Sequence, residues 1–483
     1  MINEVLLGAM KEVGDRMATG ELILPFVLQS AEVMKKSVAY LEKFMDKSDT
    51  YSKGTIVLGT VYGDVHDIGK NLVKTILTNN GYTVHDLGKQ VPVQNFIAKA
   101  KETNANAIGL SALLVSTSKQ MPYCVQELDK HGLKIPVIIG GAAINSRFGK
   151  KACVLEDGRF YGSGVFYCTD AFTGLDAMND LVIPAKNKER VEKNHKEVRA
   201  LLDLEAGRGP APEVNTAASS APRAVKPAQH IPVPPFWGNQ TVANIDLREV
   251  FPLIDKKSLF RLSWGGHGKS AKDVVNIIKE EFEPLLVKME AEALQEKWFQ
   301  PRAVYGFFPC QVRDSQLVVF DPEDPKKERC RFDWPRQPDG ERLCLVDYWD
   351  PDRLDVIGFQ CVTVGARATE LCDALNAKGE YSKSYYLHGL AVETAEAMAE
   401  WLHRRFKAEF GMQHGGGKRY SPGYPACPDL ADNEKIFGLL DAEKAIGCSL
   451  TSAFQIVPEQ STCAIVAHHP EAKYYNIKGL VLK

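Results

Sequence analysis

The chain has 483 residues, with 59 lysines and arginines against 61 aspartates and glutamates, a formal net charge of −2. Hydrophobic residues make up 45% and charged residues 25%, the balance of a water-soluble chain of two to four domains. A charge this close to zero excludes a general nucleic-acid or membrane-surface footprint. No apolar run is long enough to span a bilayer, and the amino terminus lacks a basic-then-apolar signal pattern. The 11 cysteines are scattered, odd in number and without a Cys-x-x-Cys, which points to reduced thiols in a cytoplasm and excludes a disulfide framework.

The first segment, 1–50, predicts two helices. Ile2, Leu6, Ala9, Val13 and Met17 line one face, Thr19-Gly20 breaks it, and Val27, Ala31, Met34, Val38, Leu41 and Met45 resume it after Pro25. This is either half of a helical bundle or a hairpin packed on the next domain. Asp46–Lys53 is a polar connection.

From 51 to 183 the pattern alternates strand and helix. Strands are expected at Thr55–Val61, Tyr82–Leu87, Ala107–Leu114, Pro136–Ile139 and Gly164–Tyr167, with helices starting near Lys70, Val93, Ser118, Ser146 and Ala171. A βα repeat implies a parallel sheet covered on both faces, and five strands suggest the flavodoxin-like order, with ligands beyond the carboxyl ends of strands one and three. The loop after strand one reads Gly63-Asp64-Val65-His66-Asp67-Ile68-Gly69. Asp64 stands two positions before His66, where it can take one ring N–H and fix which nitrogen faces outward. By itself an Asp-x-His on a loop is more often a surface hydrogen bond than a metal ligand. Ser111 to Thr117 closes strand three and Gly140-Gly141-Ala142 closes strand four, on the same edge. The glycines suit either a ligand lying against the backbone or a plain tight turn.

The order Asp64-x-His66-x-x-Gly69, Ser111-x-Leu113, Gly140-Gly141 on such a unit resembles the cobalamin-binding domain shared by methyltransferases and carbon-skeleton mutases. The resemblance implies that the cofactor's lower base threads into the crevice and that His66 replaces it as the cobalt ligand. Asp64 and Thr117 would then form a relay behind the ring, Thr117 standing where the family has serine. Gly63, Val65, Asp67, Val115 and Ala171 are implied as further cofactor contacts. Met17, where a phenylalanine is usual, and Leu24 would cap the cofactor's upper face.

Residues 184–232 comprise a charged helix and then a Pro/Ala/Ser stretch, Gly207–Pro235, of linker composition. The remainder, 233–483, lacks the βα rhythm and predicts an α+β domain with an antiparallel sheet: strands at Ala303–Phe308 and Gln316–Phe320 around Arg313-Asp314, long helices at Asp273–Leu286 and Ala391–Phe410. Arg419-Tyr420-Ser421-Pro422-Gly423-Tyr424-Pro425 is rigid, and reads as a surface loop or as a fixed presenter of an arginine and a tyrosine. It resembles the Arg-x-x-x-Gly-Tyr-Pro loop of the reactivation domain in the cobalamin-dependent methionine synthase family. Ile254-Asp255 and His469-Pro470 leading to Tyr474-Tyr475 match two further stretches of that domain. Tyr420-Ser421 in place of Pro-Ala, and Arg404 in place of an acid, are departures.

The resemblance covers the whole chain as the carboxyl-terminal half of that family. It implies cobalamin, as methylcobalamin with cobalt held through His66, and S-adenosylmethionine held by Asp255, Arg419, Ser421, Gly423, Tyr424, Tyr474 and Tyr475. The implied activity is methyl transfer from methyltetrahydrofolate to homocysteine, with this portion remethylating oxidised cobalamin. The implied partners are homocysteine- and methyltetrahydrofolate-binding domains absent from the chain and a flavodoxin-like electron donor; a monomer is expected. The alternative is a stand-alone corrinoid carrier or reactivation subunit serving separate methyltransferases. A mutase would not explain the Gly-Tyr-Pro loop. A cobalamin-based light or ligand sensor would carry a DNA-binding helix-turn-helix, for which the sequence shows neither a basic module nor excess positive charge.

Overall fold

The computed structural model describes residues 5–19, 21–41, 52–142, 144–206, 223–242, 244–266, 271–412 and 416–477. The chain divides into two compact units, the first built mainly from residues 1–211 and the second mainly from 212–266, 275–375 and 386–483. Ile2, Met45, most of the Asp46–Lys53 connection and residues 207–222 of the expected linker lie outside the described residues. No described helix is long and apolar enough to cross a membrane.

In the first unit the β-branched run at 55–60 becomes β1 (Thr55–Thr60), followed by α3 (Ile68–Asn79), β2 (Thr83–Asp86), α4 (Val93–Glu102) and β3 (Ala107–Ser111). A single turn, α5 (Val115–Ser118), leads into α6 (Gln120–Lys130), then β4 (Val137–Gly140), α7 (Ser146–Ala152), β5 (Val165–Tyr167) and α8 (Ala171–Leu181). The five strands are all parallel in the order β2-β1-β3-β4-β5, the flavodoxin-like order expected from the sequence. Alternate strand residues feed two cores. Val57, Ile108 and Ile139 meet Phe96, Met121 and Val125 on one face. Ile56, Ala107 and Ile138 meet Leu77, Ala177 and Met178 on the other.

The amino-terminal segment forms α1 (Leu7–Ala18) and α2 (Leu24–Leu41), joined around Met10, Ala31 and Met34. The helix pair packs on the next domain: Val27 clusters with Ile76 and Ala171, so the pair lies on α3 and α8. The charged helix read as the start of a linker is α9 (Pro184–Ala206), and it too is docked. Val198 is buried in the sheet core, and His195 Nε2 lies 3.0 Å from the Tyr161 carbonyl oxygen. Its abundant charge lies on the outward face and hides this apolar anchor.

The second unit holds a seven-stranded sheet. Its strands are β6 (Gly238–Val242), β7 (Arg302–Arg313), β8 (Gln316–Phe320), β9 (Glu328–Phe332), β10 (Asp355–Thr363), β11 (Lys418–Tyr420) and β14 (Ser461–Ala467). A separate two-stranded ladder is made by β12 (Ser449–Leu450) and β13 (Ile456–Val457). The main order is β11-β14-β10-β7-β8-β9, and every pairing is antiparallel. The β7–β8 hairpin turns at Asp314 and Ser315, both with positive φ (50° and 62°), the backbone a tight hairpin requires. β10 is buried along all nine residues because helices cover it. The long α15 (Tyr381–Glu409) lies so close that a Cβ on Gly358 would come 1.9 Å from Phe406 Cζ, so only glycine fits there. The expected helix at 273–286 is split into α12 (Ala271–Ile277), a π-helical turn at Ile278–Phe282, and α13 (Glu283–Glu296).

Candidate functional sites

The first site is built at the carboxyl ends of β1, β3 and β4. After β1 the chain turns at Gly63 (φ 82°) and buries Asp64 completely. Asp64 is held on every side. Its Oδ1 accepts the His66 amide at 3.0 Å and lies 2.8 Å from His66 Nδ1. Its Oδ2 accepts the Leu113 amide at 2.8 Å and the Thr117 hydroxyl at 2.7 Å. Burial acts to raise the Asp64 pKa, but the hydrogen bonds from His66 and Thr117 outweigh it and the net direction is downward. The carboxylate therefore stays ionised and commits Nδ1 of the ring, so Nε2 is the nitrogen that would meet a metal.

The expected contacts converge here. Val65 is buried, Asp67 faces Lys89 at 3.5 Å, and Gly69 opens α3. The Ser111 carbonyl accepts the Val61 amide at 3.0 Å, while Leu113 is exposed at the rim. The Gly140 carbonyl accepts the Ala112 amide at 3.2 Å. At Gly141 (φ 135°) a Cβ would fall 1.8 Å from the Ala112 carbonyl oxygen. Strand-three and strand-four loops thus touch backbone to backbone, a cradle that any side chain at 141 would break. The side chain of Val115 lies outside the described residues. Ala171 belongs to a buried cluster with Val27 and Ile76, against which Met17, Leu72 and Val73 pack. Leu24 begins α2.

Sequence reasoning missed Lys70. One turn after His66 its ammonium is buried, 2.7 and 2.8 Å from the two Asp86 oxygens and 2.6 Å from Asn71 Oδ1. It ties the first turn of α3 to the end of β2. A lysine on a helix reads as solvent-facing, and only the acid ending the neighbouring strand hints otherwise.

The second site lies in the second unit, where β11 places Arg419 opposite Val466 of β14. The following loop closes on itself: the Gly423 amide donates to the Cys427 carbonyl at 2.9 Å and the Tyr424 amide to that of Ser421 at 3.3 Å. Arg419, Tyr420, Ser421, Tyr424, Tyr475 and Glu396 are among the residues lining a cavity of about 400 Å³, a size that suits a nucleoside-sized ligand. Tyr474 also lines it and is exposed. The Tyr475 hydroxyl is buried without a hydrogen-bond partner among the described residues.

Asp255 is exposed and is not among the residues lining the cavity; its carboxylate accepts from the Lys257 amide (3.0 Å) and the Ser258 hydroxyl (2.8 Å). These bonds, the Ser258 hydroxyl first, lower its pKa. The acid facing Arg419 is Glu396 on α15, at 3.4 Å. Glu393, one turn earlier, is buried against the Ser263 hydroxyl (3.0 Å), and burial pushes its pKa up. The signal in the sequence was the spacing Glu393, Glu396, Glu400 along one helix face. Arg404, the departure noted above, pairs with Glu400 at 3.0 Å on the surface.

Three family models match. The "Vitamin B12 dependent methionine synthase, activation domain" covers residues 246–481, and two "B12 binding domain" models cover 54–161 and 1–42. Methionine synthase of Mycobacterium tuberculosis is 36% identical over 527 residues, spanning 99% of this chain and 43% of that protein. That of Mycobacterium leprae is 35% identical over 536 residues, with the same coverage. The chain therefore spans less than half the length of these curated relatives. Among solved structures, a crystal structure of the MetH reactivation domain bound to AdoHcy is 27% identical, covering 55% of this chain and 90% of that one with a TM-score of 0.48. Over the length it spans, the chain is similar to vitamin B12-dependent methionine synthases, with a B12 binding domain match at 54–161 followed by an activation-domain match at 246–481.

Proposed function

We propose that the chain binds cobalamin through His66 and uses S-adenosylmethionine, bound in the 400 Å³ cavity, to restore the methylated cofactor of a methionine-forming methyltransferase. The observation that carries the reading is the chain Thr117–Asp64–His66 at the carboxyl edge of a B12 binding domain. The donor set fits the group: one imidazole with its orientation fixed, beside a side-chain-free cradle at Gly140-Gly141. Cobalamin, when bound, supplies a cobalt centre that accepts and gives up a methyl group. The chain's part is to orient His66, since Asp64 holds Nδ1 while Leu113 and Thr117 hold Asp64. When Nε2 is not a ligand it can take a proton, and the fixed charge of Asp64 stabilises the resulting imidazolium. Arg419 would pair with the substrate's carboxylate and Glu396 with its ammonium, opposite charges facing across one cavity.

In the same reading, homocysteine and methyltetrahydrofolate are handled by domains beyond the span of this chain, and a flavodoxin-like protein supplies an electron. Eleven free cysteines suit a cytoplasmic setting. The test is the absorption spectrum of methylated cobalamin bound to the wild type and to His66→Ala. The variant should retain the cofactor but show the base-off form; identical spectra would remove His66 from the metal.

A further inference from the structure

Residues 223–228 belong by composition to the Pro/Ala linker, yet they are seated in the second unit. Arg223 Nη2 donates to the carbonyls of Asp347 (2.7 Å) and Trp349 (2.5 Å), and the Ala224 amide donates to Asp347 Oδ2 at 3.0 Å. Val225 enters the core cluster that contains Tyr348, Trp349 and Tyr420. The Lys226 carbonyl accepts from His469 Nε2 at 2.9 Å, and the Ala228 carbonyl accepts from Arg353 Nη2 at 2.9 Å. The His469 tautomer is set by its other nitrogen: Nδ1 accepts the Glu471 amide at 3.1 Å, so the proton sits on Nε2.

These anchors run directly into the cavity wall. The His469 ring lies 5.6 Å from that of Tyr348, Tyr348 stacks on Tyr420 (6.2 Å, 19°), and Tyr420 meets Tyr474 edge-on at 5.7 Å. The Tyr348 hydroxyl accepts the Lys473 amide at 3.3 Å, and the Tyr420 hydroxyl donates to the Lys473 carbonyl at 2.9 Å. Both tyrosines therefore fix the residue that precedes Tyr474 and Tyr475.

The seating is balanced rather than locked. Burial pushes the Arg223 pKa down against the pull of Asp347 and Asp350, and its Nε has no hydrogen-bond partner among the described residues. Asp347 already holds Arg336 through both oxygens, at 2.5 and 2.8 Å. Release of residues 223–228 would leave Asp347 paired with Arg336, so no buried carboxylate is left uncompensated.

We infer that residues 223–228 form a reversible strap, seated through Arg223 and His469, that positions the Tyr420 and Tyr474 wall through Tyr348 behind it and so reinforces ligand binding in the cavity. The inference rests on the reading of that cavity as the S-adenosylmethionine site. By linkage the effect is reciprocal: ligand must hold the strap down as much as the strap favours ligand.

The test uses the full chain, with S-adenosylmethionine as probe, and combines calorimetry with amide hydrogen exchange. Saturating ligand should slow exchange at residues 224–226 of the wild type. Arg223→Ala should weaken binding about tenfold, within the usual range for coupled sites, and Arg223→Lys should recover part of it. Unchanged affinity in a folded Arg223→Ala overturns the inference, as does strap exchange in the wild type that ignores ligand. The wild-type measurement stands alone if the variant does not fold. A wild type that fails to bind the probe overturns the cavity reading, and this inference with it.

Discussion

The hydroxyl of Thr117 lies 2.7 Å from Oδ2 of Asp64, on the oxygen opposite the one that holds His66. The two residues are 53 positions apart, and their contact bridges the loops after β1 and β3. Thr117→Val keeps the shape and removes the donor from a fully buried carboxylate, which should destabilise the chain by about 1–3 kcal/mol. Thr117→Ser should cost much less. Urea unfolding of the three proteins without cofactor measures this, and equal midpoints for valine and wild type would show that the hydroxyl is idle.

Gly141→Ala places a methyl on the Ala112 carbonyl at a φ that side chains rarely adopt. The backbone must shift, and a loss on the order of 3 kcal/mol is expected from strain of this kind. The damage should fall on the first unit and spare ligand binding in the second. A thermal melt alongside calorimetry with S-adenosylmethionine separates the two; an unchanged melt would mean the loops are not held together at this point.

Arg419→Ala removes the cation facing Glu396 and leaves that acid beside the cavity. If the arginine pairs with a ligand carboxylate out of water, binding of S-adenosylmethionine should weaken by roughly 2–4 kcal/mol. Calorimetry gives the number directly. A change within error would assign the loop to another task.

His403 supplies a pH test. It is buried with Nδ1 unpartnered, and burial, aided by Lys407, lowers its pKa from 6.5 to about 4. Between those values the unfolded chain holds the proton and the folded chain does not. Its contribution is therefore complete above pH 6.5, shrinks as pH falls, and is gone below about pH 4. The full swing is about 3 kcal/mol. His403→Leu should flatten the stability profile over this window, measured by denaturant midpoints from pH 7 to pH 4; parallel profiles would refute the assignment.

The parallel sheet and its switch point were legible because β-branched runs and helix periodicity repeat in a regular rhythm from Thr55 onward. The Asp64–His66 contact was legible too, since two residues on one turn have few alternatives. Lys70 and Asp86 were not: each reads as a surface charge, and only their meeting between α3 and β2 makes them a buried pair. Residues 223–228 were hidden by composition, as proline and alanine mark a linker whether or not one arginine among them finds a carbonyl pair. The π-helical turns at 259–263 and 278–282 shift the helix register, which a fixed period cannot represent. Asp255 was assigned through its family motif; its capping bonds to Lys257 and Ser258 were not legible from that motif.

The order of strands in the second unit sets when its cavity can exist. β11, which bears Arg419, has a single sheet partner among the described residues, and that partner is β14, the last of the described strands. Until Ser461–Ala467 has left the ribosome, Lys418–Tyr420 has no ladder to join, and β10 presents an open edge where β14 will lie. The first unit needs no such wait, since its five strands are complete by Tyr167. During synthesis the His66 loop is thus assembled some 300 residues before Arg419 is fixed, and the nascent chain carries an unpaired, largely apolar strand edge in the meantime.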